Sequence, residues 1–228
     1  MKTTEIIWLT VVLIVAVLPV SGIANAELLT NGGFETGDLT GWNLGPGDAS
    51  VGAPASGAQS GSFAALLNAP ADGVPEINQG AFGGANPIIP ASPGQEFSLS
   101  GYMLTEDQLP QVGSGATFGL FKIVFEDAAG NDLLPESASV GIINNDFPGI
   151  ESQPFLNGDS PVNAWVFSEA RGVAPEGTAS VQFIVLDVDF GNGANHPMWY
   201  DDVSATLIPE PMTLSLLALG GLLMRKRG

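Results

Sequence analysis

The acidic residues near the end of the 228-residue chain are the first candidates for chemistry. Asp201 and Asp202 stand just before Val203 and Ala205. If Val203 and Ala205 face a hydrophobic core, the alternation of side chains along a strand places Asp201 on the same face. A buried carboxylate needs hydrogen-bond donors or a cation, because an unpaired buried charge is strongly unfavourable. The sequence therefore predicts either a metal site or a hydrogen-bonded aspartate here.

A second acidic pair, Asp187 and Asp189, has the spacing of two residues that share one face of a strand, about 6 to 7 Å apart. The two carboxylates of a glycosidase can span that distance. Residues 27–208 contain 22 acidic residues, so such pairs arise often, and a solvated strand face or a second ion site explains this pair more simply. The chain has a single histidine, His196, and no Gly-x-Ser-x-Gly nucleophile motif. We therefore expect a protein that is not an enzyme.

Aromatic residues are the candidates for binding a sugar. Sugar-binding sites stack an aromatic ring on the face of the sugar and bind its hydroxyl groups with polar side chains. Tyr102 lies on the polar face of an alternating segment, which makes it the best candidate for an exposed ring, and Trp42 is a second candidate. Trp165 and Phe167 alternate on one strand face, and we expect them in the core.

The composition excludes several other functions. Six Lys and Arg residues against 24 Asp and Glu residues give a net charge of −18 and a pI near 4.1, so nucleic acid would be repelled. The chain contains no cysteine, which excludes disulfides, thiolate metal sites and thiol catalysis. We expect no nucleic-acid partner.

The elements that position the candidate residues are strands. Thirty glycines and 17 prolines disfavour long helices. Alternating apolar residues predict strands over residues 95–104, 117–126, 162–168, 179–188 and 198–207. Residues 127–131 have the composition of a hairpin turn, and residues 137–161 form a long polar connection. We predict an all-β antiparallel sandwich, or jelly roll, formed by residues 27–208 as one domain.

The N-terminal segment has the pattern of a secretory signal peptide, residues 1–26. An apolar run over residues 6–20 follows Lys2, and Ala24 and Ala26 are small residues at the positions that a signal peptidase reads. The run is shorter than the roughly 20 residues that a spanning helix needs. We expect cleavage before Glu27.

The C-terminal segment, residues 209–228, has three parts. Pro209, Glu210 and Pro211 precede a short apolar segment over residues 212–224, which is predicted to be a short transmembrane helix, and a basic tail follows it, formed by Arg225, Lys226 and Arg227. The positive-inside rule would keep this tail in the cytoplasm. The order and spacing resemble the PEP-CTERM sorting signal of bacteria that make extracellular polysaccharide. The resemblance implies recognition by an exosortase, which cuts near the tripeptide.

The domain itself resembles the jelly-roll carbohydrate-binding modules of the galactose-binding-like type. Residues 29–35 (LTNGGFE), followed by Gly41 and Trp42, look like the start of such a module. Residues 199–204 (WYDDVS) resemble its last strand, and Trp165 with residues 174–181 (APEGTASV) resembles the preceding strand pair. These segments bracket nearly the whole of residues 27–208.

The resemblance implies a structural calcium ion. The first and last strands of such modules are neighbours, so Glu35 could meet Asp201, with Asp202 as a further ligand and backbone carbonyls near Gly33 as others. Calcium takes about 6 to 8 oxygen ligands. The alternative is an aspartate that is held by hydrogen bonds and binds no metal.

Together these features predict an exported, exosortase-sorted protein of the cell surface or extracellular matrix that binds extracellular polysaccharide. Its partners would be signal peptidase and exosortase during export, with a transient inner-membrane intermediate. The alternative is a structural or adhesive matrix protein that binds no sugar, and a glycan-active enzyme is less favoured.

Overall fold

The computed structural model describes residues 26–68, 73–81, 83–110, 117–133, 149–189 and 196–209. Most of the signal peptide, including Ala24, and residues 210–228 of the sorting signal therefore lie outside the described residues. No helix within the described ranges has the length and apolar character needed to cross a membrane.

The described residues form two antiparallel sheets. The strands are β1 (Asn43–Leu44), β2 (Asp48–Gly52), β3 (Ala64–Asn68), β4 (Glu76–Gln79), β5 (Ile89–Pro90), β6 (Glu96–Thr105), β7 (Thr117–Glu126), β8 (Asp132–Leu133), β9 (Ile150–Glu151), β10 (Val166–Val173), β11 (Ser180–Asp189) and β12 (Met198–Ile208). The five-stranded sheet has the order β10-β6-β12-β3-β2. The seven-stranded sheet has the order β1-β4-β11-β7-β8, with β5 paired to β11 and β9 paired to β7. This architecture confirms the predicted all-β sandwich.

The main hydrophobic core lies between the two sheets. From β7 and β11, Phe121 pairs with Val185 and Phe125 pairs with Val181, and all four side chains are fully buried. Leu99 of β6 and Tyr200 of β12 meet them from the other sheet. Each such apolar side chain contributes about 1.5–3 kcal/mol on burial, so this layer holds the two sheets together.

The outer face of the seven-stranded sheet is also buried. Leu120 and Leu186 are cross-strand partners in a second hydrophobic cluster on this face. Lys122 lies on the same face and is only 1% exposed. Burial lowers the pKa of Lys122, and the charges of Glu151, Asp132 and Glu76 oppose that shift.

Four of the five predicted strands lie where they were predicted, whereas the strand predicted over residues 162–168 is displaced and forms β10 at Val166–Val173. The observed bounds of β6, β7, β11 and β12 differ from the predicted ones by no more than one residue. The turn at residues 127–131 does join β7 to β8, and the Asp127 carboxylate accepts a hydrogen bond from Asn131 N at 2.9 Å. The strands β1 to β4 were not predicted, because they have only two to five residues each, too few for a clear alternation of apolar and polar residues.

Candidate functional site

The first segment of the domain lies beside its last strand. Glu27 forms an antiparallel bridge with Thr206, and Val203 N donates to Gly32 O at 2.9 Å. A Cβ atom on Gly32 would lie 1.8 Å from Val203 O, so only glycine permits this approach. The contact confirms that the start and end of the domain are neighbours, and it brings Glu35 to the level of Asp201.

A β-bulge interrupts β12 between Asp201 and Ser204. Asp201 pairs with Tyr102 of β6, whereas the next paired residue, Ser204, stands opposite Ser100. Asp202 within the bulge has a φ of 49°. The bulge breaks the alternation of side chains. Asp201 therefore lies on the outer face with Tyr102, and the prediction that it shares the face of Val203 is wrong.

Asp201 is nevertheless fully buried, because residues 57–63 cover it. Its Oδ2 accepts hydrogen bonds from Gln59 N at 2.8 Å and Ser60 N at 3.2 Å. Its Oδ1 accepts one from Asp202 N at 2.7 Å. Burial raises the pKa of Asp201 to about 6, although the bonds from these backbone N–H groups oppose the shift. Three donors therefore hold this carboxylate in place.

Residues 57–63, which cover Asp201, are called the covering segment. Glu35 holds the other end of this segment. Its carboxylate accepts hydrogen bonds from Ser62 N and Phe63 N, each at 2.9 Å. Gly61 lies between the segments held by Asp201 and Glu35, and it has a φ of +60°. A Cβ atom there would lie 2.3 Å from Glu35 Cδ, so the close approach requires glycine.

Glu35, Asp201 and Asp202, which we call the carboxylate cluster, converge on Gly33. A Cβ atom on Gly33 would lie 3.6 Å from Asp202 Oδ1, 3.9 Å from Glu35 Cγ and 4.0 Å from Asp201 Oδ1. Asp202 Oδ1 also accepts a hydrogen bond from Ser60 Oγ at 2.6 Å. The structure thus brings together the four residues that were predicted to bind calcium.

The present geometry of the carboxylate cluster is that of hydrogen-bonded acids. Backbone N–H groups occupy both oxygens of Asp201 and both oxygens of Glu35. Among the described residues, no group of three or more acidic or histidine side chains is arranged to hold a metal ion. The residue types suit calcium, which prefers carboxylate and carbonyl oxygens, and the calcium site stays a prediction.

The outer face of the five-stranded sheet carries an exposed pair of aromatic rings. Tyr102 of β6 stands directly opposite Phe167 of β10, and their ring centroids are 5.3 Å apart at an interplanar angle of 64°. Tyr102 is partly exposed, as predicted for the polar face of β6. Phe167 is 49% exposed, so its predicted place in the core is wrong. We call Tyr102 and Phe167 the aromatic pair.

Polar residues continue this face in the next two rows. Glu169 pairs with Ser100, and Arg171 pairs with Ser98. The Glu169 carboxylate accepts hydrogen bonds from Ser98 Oγ at 2.7 Å and Arg171 Nε at 2.9 Å. Among the residues that the structure describes, the aromatic pair beside these rows is the best match to a sugar-binding surface.

The other predicted ring, Trp42, lies in the core. It is 7% exposed and stacks on Phe34, with ring centroids 5.5 Å apart. Its Nε1 donates to Asn31 O at 3.0 Å. No face of the indole is open to a ligand, so the prediction of a sugar contact at Trp42 is wrong.

Of the two remaining tryptophans of the domain, Trp165 contacts the covering segment. Trp165 Nε1 donates to Gly57 O at 3.2 Å, and Trp199 Nε1 donates to Glu106 Oε2 at 3.0 Å. Both rings pack in a small cluster on the outer face of the five-stranded sheet. Trp165 is therefore partly buried, but outside the core between the sheets.

Asp187 and Asp189 do not form a solvated face. Both residues are fully buried on the inner face of β11, opposite Gly119 and Thr117 of β7. Asp189 Oδ1 accepts a hydrogen bond from Thr117 Oγ1 at 3.3 Å. Their complete burial places both carboxylates away from any substrate on the described surface.

Comparison with known proteins identifies the fold. No family model and no curated protein matches the chain. Among solved structures, the arabinose-bound α-L-arabinofuranosidase MgGH51 has a TM-score of 0.52 and 16% identity, covering 80% of this chain and 26% of its own. The Stig cyclase Fisc from Fischerella sp. TAU has a TM-score of 0.51 and 13% identity, covering 82% of this chain and all of its own. TmCBM61 in complex with β-1,4-galactotriose has a TM-score of 0.48 and 17% identity, covering 80% of this chain and 99% of its own. At these identities the likeness concerns the fold alone.

Proposed function

We propose that the domain is an exported carbohydrate-binding domain that holds extracellular polysaccharide on the outer face of its five-stranded sheet. The observation that carries this proposal is the aromatic pair. Tyr102 and Phe167 expose ring surface as cross-strand partners on β6 and β10, where the apolar face of a sugar ring can stack. The fold likeness to sugar-associated proteins agrees with this function without locating the site.

The neighbouring rows supply groups that can bind sugar hydroxyls. Ser100 stands between Glu169 and Ser204, and Ser98 stands between Arg171 and Thr206. These side chains offer hydroxyl and carboxylate acceptors together with hydroxyl and guanidinium donors. Residues 27–208 contain 22 acidic residues and two basic residues, and this negative charge would repel an acidic polymer, so we propose an uncharged glycan.

A glycan array that includes both neutral and uronic-acid polysaccharides tests this function. We expect the purified mature protein to bind neutral glycans and to leave the acidic ones unbound. A protein that binds no glycan on the array would favour the structural or adhesive alternative. Turnover of a polysaccharide by the same preparation would favour an enzyme.

We also propose that the carboxylate cluster holds a structural calcium ion. Asp201, Asp202 and Glu35 would hold it, with backbone carbonyl groups near Gly33, and the ion would offset the negative charge of these acids. The convergence of all four residues at one point supports this proposal. The unfavourable burial of the Asp201 charge, seen in its raised pKa, gives the cation a physical role.

Export and sorting complete the proposal. Signal peptidase would release residues 1–26, and an exosortase would act at Pro209, Glu210 and Pro211 while residues 212–224 hold the chain in the inner membrane. Ala26 and Pro209, the one described residue of each segment, are exposed. The finished protein would then reside at the cell surface or in the extracellular matrix.

A further inference from the structure

We propose that the aromatic pair binds the terminal sugar of a neutral glycan chain, and that the rest of the chain extends along the strands toward Glu96. The inference rests on the proposed sugar-binding function, and it adds which part of the polymer the domain recognises. The aromatic pair stands in a corner of the sheet surface that is closed on two sides.

The sheet surface is closed beyond the aromatic pair in the direction of the strands. Leu104 lies two residues after Tyr102 on the same face of β6, and it is fully buried. The rings of Trp165 and Trp199 pack against Leu104, and Trp199 is only 8% exposed. Trp165 Nε1 donates to Gly57 O at 3.2 Å, so the covering segment reaches this row. The open part of the sheet therefore ends at the aromatic pair.

The surface is also closed across the strands, on the side of β12. Asp201 is the direct partner of Tyr102 there, and it is fully buried. Its Oδ2 accepts hydrogen bonds from Gln59 N at 2.8 Å and Ser60 N at 3.2 Å. The main chain of the covering segment therefore lies directly beside the strand position of Tyr102.

The covering segment is held at both ends as well as in its middle. Just before it, Ala55 N donates to Glu106 Oε1 at 2.6 Å, and Glu106 Oε2 accepts a hydrogen bond from Trp199 Nε1. At its far end, Phe63 N donates to the Glu35 carboxylate at 2.9 Å. A segment anchored in this way excludes by steric clash any glycan chain that would have to cross it.

The surface stays open in the opposite direction along the strands. Ser100, in the row next to the aromatic pair, is partly exposed, and Arg171 in the following row exposes 60% of its side chain. Val173 pairs with Glu96 at the end of this face and is 46% exposed. The distance along β6 from Tyr102 to Glu96 is about 20 Å, so several sugar units can lie between them.

A corner with one open direction along the strands selects the end of a chain. A straight glycan that stacks on the aromatic pair can continue over Ser100 and Arg171, whereas its other side meets the covering segment. The hydroxyl, carboxylate and guanidinium groups of the open rows can bind the hydroxyl groups of the second and later sugars. Affinity should therefore increase with chain length until these rows are occupied, and an internal segment of a polymer should not bind.

The stoichiometry of binding tests this inference. The probe is the neutral polysaccharide that binds on the glycan array, cut into linear fragments and fractionated from disaccharides to long chains. Isothermal titration calorimetry with the purified mature protein should give one bound protein molecule per chain, whatever the length of the chain. A number of bound protein molecules that increases with chain length would show binding to internal segments and would overturn the inference.

The direction of the chain is tested by Arg171→Ala. In the native protein, the hexasaccharide should bind about tenfold more tightly than the disaccharide, because only the longer chain reaches the row of Arg171. Arg171→Ala should reduce this ratio to about threefold or less and leave the Kd of the disaccharide unchanged. Asp159→Ala, in an exposed turn outside the sheet, is the control and should keep the full ratio. An unchanged ratio in Arg171→Ala would contradict the proposed direction.

The two proposals fail in different ways. A protein that binds no glycan on the array would refute sugar binding, and this inference with it. Several protein molecules on each long chain would leave sugar binding intact and refute only the recognition of chain ends.

Discussion

Tyr102 and Asp201 are direct cross-strand partners on the outer face of the five-stranded sheet. The ring proposed to contact sugar therefore stands beside the acid proposed to hold calcium. The segment that covers Asp201 is anchored by Trp165 through Gly57, and by Glu35 through Ser62. A change at the carboxylate cluster should consequently affect both the stability of the domain and the surroundings of the aromatic pair.

Removing the exposed ring should weaken glycan binding. Tyr102→Ala is expected to raise the Kd of the glycan selected on the array by about tenfold, which corresponds to about 1.4 kcal/mol, because it removes the stacking surface. Leu44→Ala, which truncates another exposed apolar side chain on the other sheet, is the matched control and should leave the Kd unchanged. Isothermal titration calorimetry measures both, and an unchanged Kd for Tyr102→Ala would locate the site elsewhere.

Calcium should stabilise the domain. An ion that binds only the folded protein adds about 2.7 kcal/mol when its concentration is 100 times Kd, so chelation should lower the Tm. Asp201→Ala should abolish this response, whereas Asp159→Ala at an exposed turn should retain it. Differential scanning calorimetry measures the response. If the Tm is the same with excess calcium and with chelator, and elemental analysis finds no bound ion, the proposal of a calcium site is wrong.

The pH dependence of the free energy of unfolding should reveal the raised pKa of Asp201. Its pKa is about 6 in the folded protein and 3.8 ordinarily, so the folded state binds the proton more tightly. Above pH 6 the ionised Asp201 carboxylate lowers the free energy of unfolding. Protonation of this group restores that free energy as the pH falls from 6 toward 4. In chelator, the native protein should gain about 2 kcal/mol in free energy of unfolding relative to Asp201→Asn between pH 7 and pH 4.

Urea unfolding at a series of pH values measures that difference. All other titrating groups are common to the two proteins, so the difference between them reports the single carboxyl group. Excess calcium should reverse the trend, because the ion binds the charged form of Asp201. Parallel pH profiles for the two proteins in chelator would contradict the raised pKa.

Exported protein should begin at Glu27. The small residues Ala24 and Ala26 predict this cleavage site, and Glu27 is the first residue that pairs with β12. N-terminal sequencing of exported material checks it. Material that still begins at Met1 would show that the segment is retained.

Surface protein should lack its C-terminal segment. The short apolar segment and the basic tail at residues 225–227 predict a membrane intermediate that is cut near Pro209, Glu210 and Pro211. Intact-mass measurement of protein released from the cell surface locates the new C-terminus. A mass that includes the basic tail would argue against cleavage.

The fold could be predicted because the long strands alternate clearly. In β6, Phe97 and Leu99 face the core while Ser100 and Tyr102 face outward, and this period of two predicted both the strand and the exposed ring. Phe167 was misplaced because β10 carries apolar residues on both of its faces, so periodicity alone could not tell which face is buried.

The candidate site could be predicted only in part. The proximity of Glu35 and Asp201 followed from the resemblance to jelly-roll modules, but the side of the sheet on which Asp201 lies did not. A bulge shifts the alternation by one residue, and an aspartate such as Asp202 tolerates a positive φ without predicting one. The donors Gln59 and Ser60 were missed because their contacts with Asp201 join residues more than 140 positions apart.

The small number of Lys and Arg side chains in the domain bears on its resistance to proteases. Lys122 and Arg171 are the only basic residues between positions 27 and 208, and Lys122 is buried within the sheet. Trypsin-like proteases cleave after Lys or Arg, so the folded domain offers them one exposed side chain, Arg171, whose backbone pairs with Ser98 within the sheet. If the domain is exported as proposed, it can persist among such enzymes without disulfides, because Arg171 is the one basic side chain of residues 27–208 that is exposed to them.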